Sequence, residues 1–497
     1  MRIEAAPIAL PRAPLVPQLA RLRRLPAVVA LVLLLGACAD KSGVGPQARM
    51  REAASLGLGV GAQLEVPQDW WRSFGDAQLD RLIEQALADN PGLRLAQTRL
   101  ARARAATELV AASNRIQVNG ALDVTRQRYT ANGAVPATLA GSTRDLATLQ
   151  LSTGMEFDFF DRNRLALNAA LGSANASQAE AQAARVLLAA QVAHSWFALA
   201  RLQAQLDVAQ RTLALREQTL DLVRQRVDAG LDTRLELQRG EGALPETRQL
   251  IEALREQMAV TRNALGALVG HPSAALALTP PALSAIRGAA PAGAIPADLL
   301  GRRADVAAAR WRVQAALQEV DYARTQFYPS VNLIAFAGLS SIGLGRLIDS
   351  GSQQWGVGPA VRLPIFDGGR LRANLRVKAT EVDAAIESYN AAIVDAVRDA
   401  ADQLVSAQSI ARQQVEQRAS QAAAEGVYDI ARQRYQAGLG NFLQVLDAET
   451  QVLAQRRQAV DLAARALDTQ VALMRALGGG YTDDAPPLTP RIAQQVH

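Results

Sequence analysis

The chain has 497 residues, of which 49% are hydrophobic, 20% charged and only 4% aromatic. Ala, Leu, Gln and Arg, all strong helix formers, dominate it, so long helices are the first expectation. The net charge is +6, but Arg is interleaved with Asp and Glu along the whole chain, which argues against a nucleic-acid partner.

A single cysteine, Cys38, excludes an intramolecular disulfide. The three histidines, His194, His271 and His497, are far apart, and no His/Cys/Asp/Glu group has metal-ligand spacing, so neither a metal nor another cofactor is expected.

At the N-terminus, Arg12, Arg21, Arg23 and Arg24 precede an apolar run at 26–35. That is the order of a secretory signal, and it is too short for a bilayer span, which needs about 20 apolar residues. The run ends in Leu35-Gly36-Ala37-Cys38, which resembles a bacterial lipobox. The resemblance implies cleavage of a signal peptide at 1–37, acylation of Cys38 and a lipidated linker over 38–69. Ala39, rather than Asp, follows the cysteine, which implies the outer membrane.

Residues 116–124 alternate: Ile116, Val118, Leu122 and Val124 against Gln117, Asn119 and Asp123. Residues 149–159 alternate in the same way, with Leu149, Leu151, Met155, Phe157 and Phe159 on one side. Period two predicts strands with one apolar and one polar face, joined by the polar loop 130–143. No Gly or Pro interrupts 173–229, and a helix from 162 to 229 would be roughly 100 Å long. Gly230 breaks it, and a second helix is predicted over 234–268. Pro272, Pro280, Pro281, Pro291 and Pro296 mark a linker over 271–296. The second half repeats the plan, with strands at 331–339 and 355–365, a loop at 343–351, a glycine-free run at 370–425, a break at Gly438-Leu439-Gly440 and a helix over 442–477. Ile334 and Phe336 blur the alternation of its first strand.

Three matches support a tandem duplication at an offset of about 210 residues. Arg224-Gln225-Arg226-Val227-Asp228-Ala229-Gly230-Leu231 reads like Arg432-Gln433-Arg434-Tyr435-Gln436-Ala437-Gly438-Leu439. Phe160-Asp161 reads like Phe366-Asp367, and Asn90-Pro91-Gly92-Leu93 is answered by Arg303-Ala304-Asp305-Val306. The halves are placed at 70–270 and 297–478, with a tail at 479–497. The predicted strands fit membrane length, about 9–11 residues, and carry Phe, Tyr and Trp in or beside them. Four strands cannot close a barrel, and open sheet edges cannot face lipid. Three copies would supply about twelve strands, enough for a lumen.

Several stretches then resemble one family: Trp70-Trp71-Arg72-Ser73-Phe74, Asp76-Ala77-Gln78-Leu79, Ile295-Pro296-Ala297-Asp298-Leu299-Leu300-Gly301-Arg302-Arg303-Ala304-Asp305-Val306, Phe327-Tyr328-Pro329-Ser330 and Leu363-Pro364-Ile365-Phe366-Asp367-Gly368-Gly369-Arg370. The chain resembles the TolC-like outer-membrane efflux proteins, in the lipoprotein branch called OprM/NodT-type. Family members often have Pro where Ala304 stands. The resemblance implies a mainly α fold with a membrane β part. Long antiparallel helical hairpins would form a periplasmic α-barrel, and four strands per chain a trimeric twelve-stranded β-barrel. It implies a homotrimer in outer-membrane lipid, with a periplasmic adaptor protein and an inner-membrane transporter as partners, passing drugs or toxic small molecules unchanged. The alternatives are the outer-membrane channel of a type I protein secretion system and a periplasmic scaffold lipoprotein without a pore.

The turns at Gly230-Leu231 and Gly438-Leu439 resemble family tips that meet adaptor tips; plain glycine caps are the alternative. Asp429, about two and a half turns before Gly438, is the candidate periplasmic gate, where three copies in a trimer would make a negative ring. Pairing with Arg432 or Arg434 is the alternative. Asp447 is expected to pack structurally, and Asp395 and Asp399 to be ordinary surface charges. No catalytic group emerges: His194 and Ser195 are helix neighbours that point apart, so no enzyme is expected.

Overall fold

The computed structural model describes residues 43–51, 66–271, 278–286, 288 and 302–482. Cys38, the signal segment 1–37, part of the 38–69 linker and nearly all of the 479–497 tail lie outside the described residues.

After a 3-10 turn, Trp70–Phe74, Asp76 starts α1 (Ala77–Asp89) by accepting from the Gln78 and Leu79 backbone N–H at 2.9 and 3.3 Å. Asn90 starts α2 (Pro91–Ser113) likewise, accepting from Leu93 N–H at 3.0 Å, and Pro91 takes the first helical position, where a missing N–H loses nothing. Strands β1 (Gln117–Arg128) and β2 (Thr143–Phe157) follow, then α3 (Arg162–Asp228) and α4 (Arg234–Val269). The order then recurs as α5 (Ala304–Thr325), β3 (Ser330–Ile342), β4 (Gln353–Arg362), α6 (Arg370–Gln436) and α7 (Phe442–Ala476). Helices α3 and α6 each have 67 residues, and α4 and α7 have 36 and 35. Ala304 opens α5 at the position where proline is also at home, so its departure from the family pattern leaves the helix start intact.

The chain forms two compact units, each drawing on both sequence halves. The first contains Ala112–Ala166 and Gln318–Glu381. It holds one sheet in the order β1-β2-β3-β4, every neighbouring pair antiparallel. At the helical end of the sheet Phe160 stacks on Tyr328 at 4.7 Å. Asp158 caps α3 through the Asn163 and Arg164 N–H groups, and Asp367 caps α6 through Leu371 N–H at 2.8 Å.

The second unit contains Gln47–Ala111, Leu167–Leu317 and Val382–His497. Its main core joins Trp70, Trp71, Phe74, Leu79 and Ile83 to Trp196, Phe197 and Leu199 of α3, Leu265 of α4 and Val471 of α7. Phe74 meets Phe197 edge-on at 5.0 Å, and the Trp196 indole Nε1 donates to Asp76 at 2.7 Å. Helix α3 carries a stretch apolar enough to cross a membrane, half of it buried inside the chain. Burial of Trp196, Phe197 and Leu199 accounts for that stretch as core. The segment before residue 52 is strapped to α6: Gln47 and Ala48 N–H donate to Asp383 at 2.7 and 2.8 Å, and Arg51 N–H to Asn390 at 2.9 Å.

Candidate channel wall and helical tips

Directly paired residues of an antiparallel sheet share a face, so the register sorts the side chains. One face carries Val118, Leu122 and Val124 of β1 and Leu149, Leu151, Met155 and Phe157 of β2. Leu333, Ala335, Ala337 and Leu339 of β3, with Trp355, Val357 and Val361 of β4, continue it. Trp355 is 77% exposed and Leu122 62%, so this apolar face has no cover among the described residues. From Ala147 to Phe157 the band runs for roughly 34 Å along the strand, or about 25 Å in height at the tilt of membrane barrels. The other face carries Asn119, Asp123, Thr125, Gln150, Ser152, Asn332, Ser340 and Gln354. Ile334 and Phe336, the residues that blurred the alternation, lie on this polar face. The Phe336 ring covers Gly356, where a Cβ would come within 2.7 Å of it, so the aromatic fills the space of a missing side chain. The expected strands 331–339 and 355–365 are observed as Ser330–Ile342 and Gln353–Arg362; Pro364 lies beyond the second, where its missing N–H breaks no ladder. Among the described residues, the outer edges of β1 and β4 have no partner strand.

The two hairpin turns of the helical unit are built alike. Gly230 and Gly438 are left-handed, with φ of 69° and 75°. Gly230 N–H donates to Val227 O and Leu231 N–H to Arg226 O, at 3.0 and 2.8 Å; Gly438 and Leu439 repeat this with Tyr435 O and Arg434 O at the same distances. In such a cap the residue after the glycine usually packs back on the last turn. Here the facing residues are Arg226 and Arg434, and Leu231 and Leu439 stay 66% and 71% exposed. Asp232 ties the turns together: it accepts from Arg226 Nε at 3.0 Å and from the Tyr435 hydroxyl. The Arg226 guanidinium lies 4.7 Å over the Tyr435 ring. Burial, with the Asp232 carboxylate beside it, pushes the Tyr435 hydroxyl well above an ordinary phenol, so it stays a donor. The four tip residues thus gather at one end, held by Arg226 and Tyr435 of the repeated motif and by Asp232, which lies just outside it.

Asp429 is exposed on α6, and among the described residues it makes no ion pair with Arg432 or Arg434. Two expectations are corrected. Asp447 is exposed rather than packed; the acid in the core is Glu449, whose Oε1 accepts from Arg216 Nε at 2.7 Å. Asp399 is no ordinary surface charge: it lies 3.5 Å from both Arg303 and Arg475 and 3.6 Å from Arg398. His194 turns away from Ser195 to Asp468, at 2.9 Å. No group of three or more potential metal ligands occurs among the described residues.

The family described as outer membrane efflux protein matches residues 82–271 and 295–479. The multidrug resistance outer membrane protein MdtP of Escherichia coli K12 is 33% identical over 421 residues, covering 83% of this chain and 86% of that protein. The putative multidrug resistance outer membrane protein MdtQ of the same strain is 32% identical over 467 residues, covering 91% and 97%. Among solved structures, the outer membrane protein VceC of Vibrio cholerae is similar with a TM-score of 0.79 and 34% identity, covering 84% of this chain and 100% of that one. The outer-membrane channel OprN is similar with a TM-score of 0.80 and 26% identity, covering 89% and 99%. With a matched region spanning both halves, a sheet sorted into an apolar and a polar face, and solved channels of the same fold, the chain belongs to the outer membrane efflux protein family, and its setting is the bacterial outer membrane.

Proposed function

We propose that three copies of this chain close one barrel and act as the outer-membrane channel of a tripartite efflux system, passing drugs or toxic small molecules through unchanged. The observation that carries this reading is the four-stranded sheet whose two edges and apolar face are left unpaired and uncovered among the described residues. Unpaired backbone groups cannot face lipid, and joining β4 of one copy to β1 of the next removes every edge. Three copies give about twelve strands, whose polar faces line water. The relatives MdtP and MdtQ, named for multidrug resistance, support drugs as the cargo. In this reading residues 1–37 are removed, Cys38 carries the lipid anchor, 38–69 link it to the repeats at 70–270 and 297–478, and 271–296 joins the two. A periplasmic adaptor and an inner-membrane transporter complete the system.

The test is single-channel conductance in a planar bilayer beside the oligomeric mass in detergent. A trimer with discrete conductance steps is expected; a monomer without conductance would defeat the composite barrel.

The exposed Leu231 and Leu439 are the proposed adaptor contacts, presented by Gly230 and Gly438. Leu231→Glu combined with Leu439→Glu is expected to leave conductance unchanged and to weaken adaptor capture at least about tenfold, because each carboxylate must be desolvated on docking. Full drug resistance in cells carrying only this variant would sink the docking role. Asp429 is the proposed gate. In a trimer its three copies favour cations, so Asp429→Asn is expected to move the reversal potential under a KCl gradient toward zero. An unmoved reversal potential would assign Asp429 to solvent alone.

A further inference from the structure

We propose that Arg126 and Arg128 form a phosphate-binding rim that holds the headgroup of a phosphorylated glycolipid of the outer leaflet. Both residues lie on β1, on the same face as Val118, Leu122 and Val124, and directly beyond the apolar band on the side of the 129–142 loop. Two positions apart on one strand, their Cα atoms are about 7 Å from each other. Across the register they face Asp145 and Thr143. The Arg126–Asp145 contact is 3.9 Å long, with the side chains 78% and 39% exposed, so it is a loose surface pair. The Arg128 side chain has no hydrogen bond or ion pair among the described residues. The row therefore offers two guanidinium groups and one carboxylate on a surface that otherwise faces lipid tails.

Depth makes this placement informative. An arginine on the lipid face is destabilising by about 2–4 kcal/mol at the bilayer midplane and by about 0–1 near the interface. Arg126 and Arg128 thus fix where the hydrocarbon ends and the headgroups begin. The opposite end of the sheet is finished differently: Phe157 meets Phe159, and Phe160 stacks on Tyr328. Aromatic rings suit any interface, whereas a guanidinium fork suits phosphate, which it binds in bidentate fashion. The loop end of the sheet is the end away from the starts of α3 and α6 within the same unit. With those helices on the periplasmic side, the arginines meet the outer leaflet; this step rests on the channel reading. Arg144 supplies an internal control: it pairs with Gln127 at the same rim but lies on the polar face.

The test titrates the full-length oligomer in detergent with diphosphoryl lipid A and counts bound lipid by native mass spectrometry. Arg126→Gln combined with Arg128→Gln is expected to weaken binding about tenfold or more. Arg144→Gln should bind as the unaltered protein does, and dephosphorylated lipid A and phosphatidylglycerol should bind more weakly than diphosphoryl lipid A. Arg128→Gln alone loses no intrachain partner, so it separates binding from folding, and a several-fold loss is expected of it. Unchanged binding in the double variant, an equal loss in Arg144→Gln, or equal binding of the dephosphorylated lipid or of phosphatidylglycerol would overturn the proposal. Conductance is recorded on the same samples. Normal channels with unaltered lipid binding would reject the rim alone, whereas an unaltered protein without channels would reject the channel reading.

Discussion

Glu449→Ala is expected to lower the stability of the helical unit by about 3–5 kcal/mol, because it strands a buried charge. Arg216 and Glu449 are 8% and 6% exposed. The guanidinium reaches Glu449 through Nε at 2.7 Å, and through Nη1 it donates to the Ala243 carbonyl at 3.0 Å and the Thr247 hydroxyl at 2.8 Å. One side chain of α3 thereby joins α4 to α7 in the core of the unit. Removing the acid leaves Arg216 charged, since guanidinium does not deprotonate. Arg216→Met combined with Glu449→Leu removes both charges at similar volume and is expected to cost far less than the single change. Thermal unfolding of the purified protein tests both; a single variant that melts like the unaltered protein would show that water reaches the pair. Acid should widen the gap between the unaltered protein and the single variant. Burial lifts the Glu449 carboxyl above the ordinary 4.5 despite the attraction of Arg216. The folded chain therefore holds this proton more tightly than the unfolded one. That contribution is present below 4.5 and is lost as pH rises through the folded value. Glu449→Gln, which mimics the protonated acid, lacks this dependence, so its stability relative to the unaltered protein should fall as the pH falls.

The same pair marks where a reading of the sequence stops. The helices and strands were legible because their signals are local: a glycine-free run fixes α3, a two-residue alternation fixes β1, and left-handed glycines end the long helices. On α7 the sequence leads to the expectation that Asp447 packs, two positions from Glu449, the acid that does. Two residues along a helix are about 200° apart, so the error moves the side chain from core to solvent. Phe442, Val445 and Val452 are buried at helical spacing, and position 449 falls on their stripe, so the pattern was present. What it could not supply was the partner: Arg216 is 233 residues away. Asp399 escapes the sequence for the same reason, since Arg303 stands just before α5 and Arg475 lies on α7. At the candidate tips the sequence located Gly230, Leu231, Gly438 and Leu439 but not the Arg226, Asp232 and Tyr435 cluster that joins the two turns. A long-range ion pair leaves no period in the chain, whereas a turn must write its glycine at one position.

Asp76→Ala is expected to remove about 2–4 kcal/mol, because one carboxylate does two separate things. Its Oδ1 caps α1, a role worth about 1 kcal/mol. Its Oδ2 receives the Trp196 indole N–H at 2.7 Å, and leaving that buried donor unpaired costs about 1–3 kcal/mol more. Trp196 is fully buried, so no water replaces the lost acceptor. This gives Trp70-Trp71-Arg72-Ser73-Phe74 and Asp76-Ala77-Gln78-Leu79 a physical sense: the aromatic turn enters the core between α3 and α4, and Asp76 bolts it to α3 while starting the next helix. The two roles separate in a double-mutant cycle. In a Trp196→Phe background the indole donor is gone, so Asp76→Ala should then lose only the cap, about 1 kcal/mol. Equal losses in the two backgrounds, read from denaturant unfolding followed by tryptophan fluorescence, would mean that the 2.7 Å contact contributes nothing to stability. A larger loss when Trp196 is present would make this hydrogen bond a tie between the start of α1 and the long helix α3.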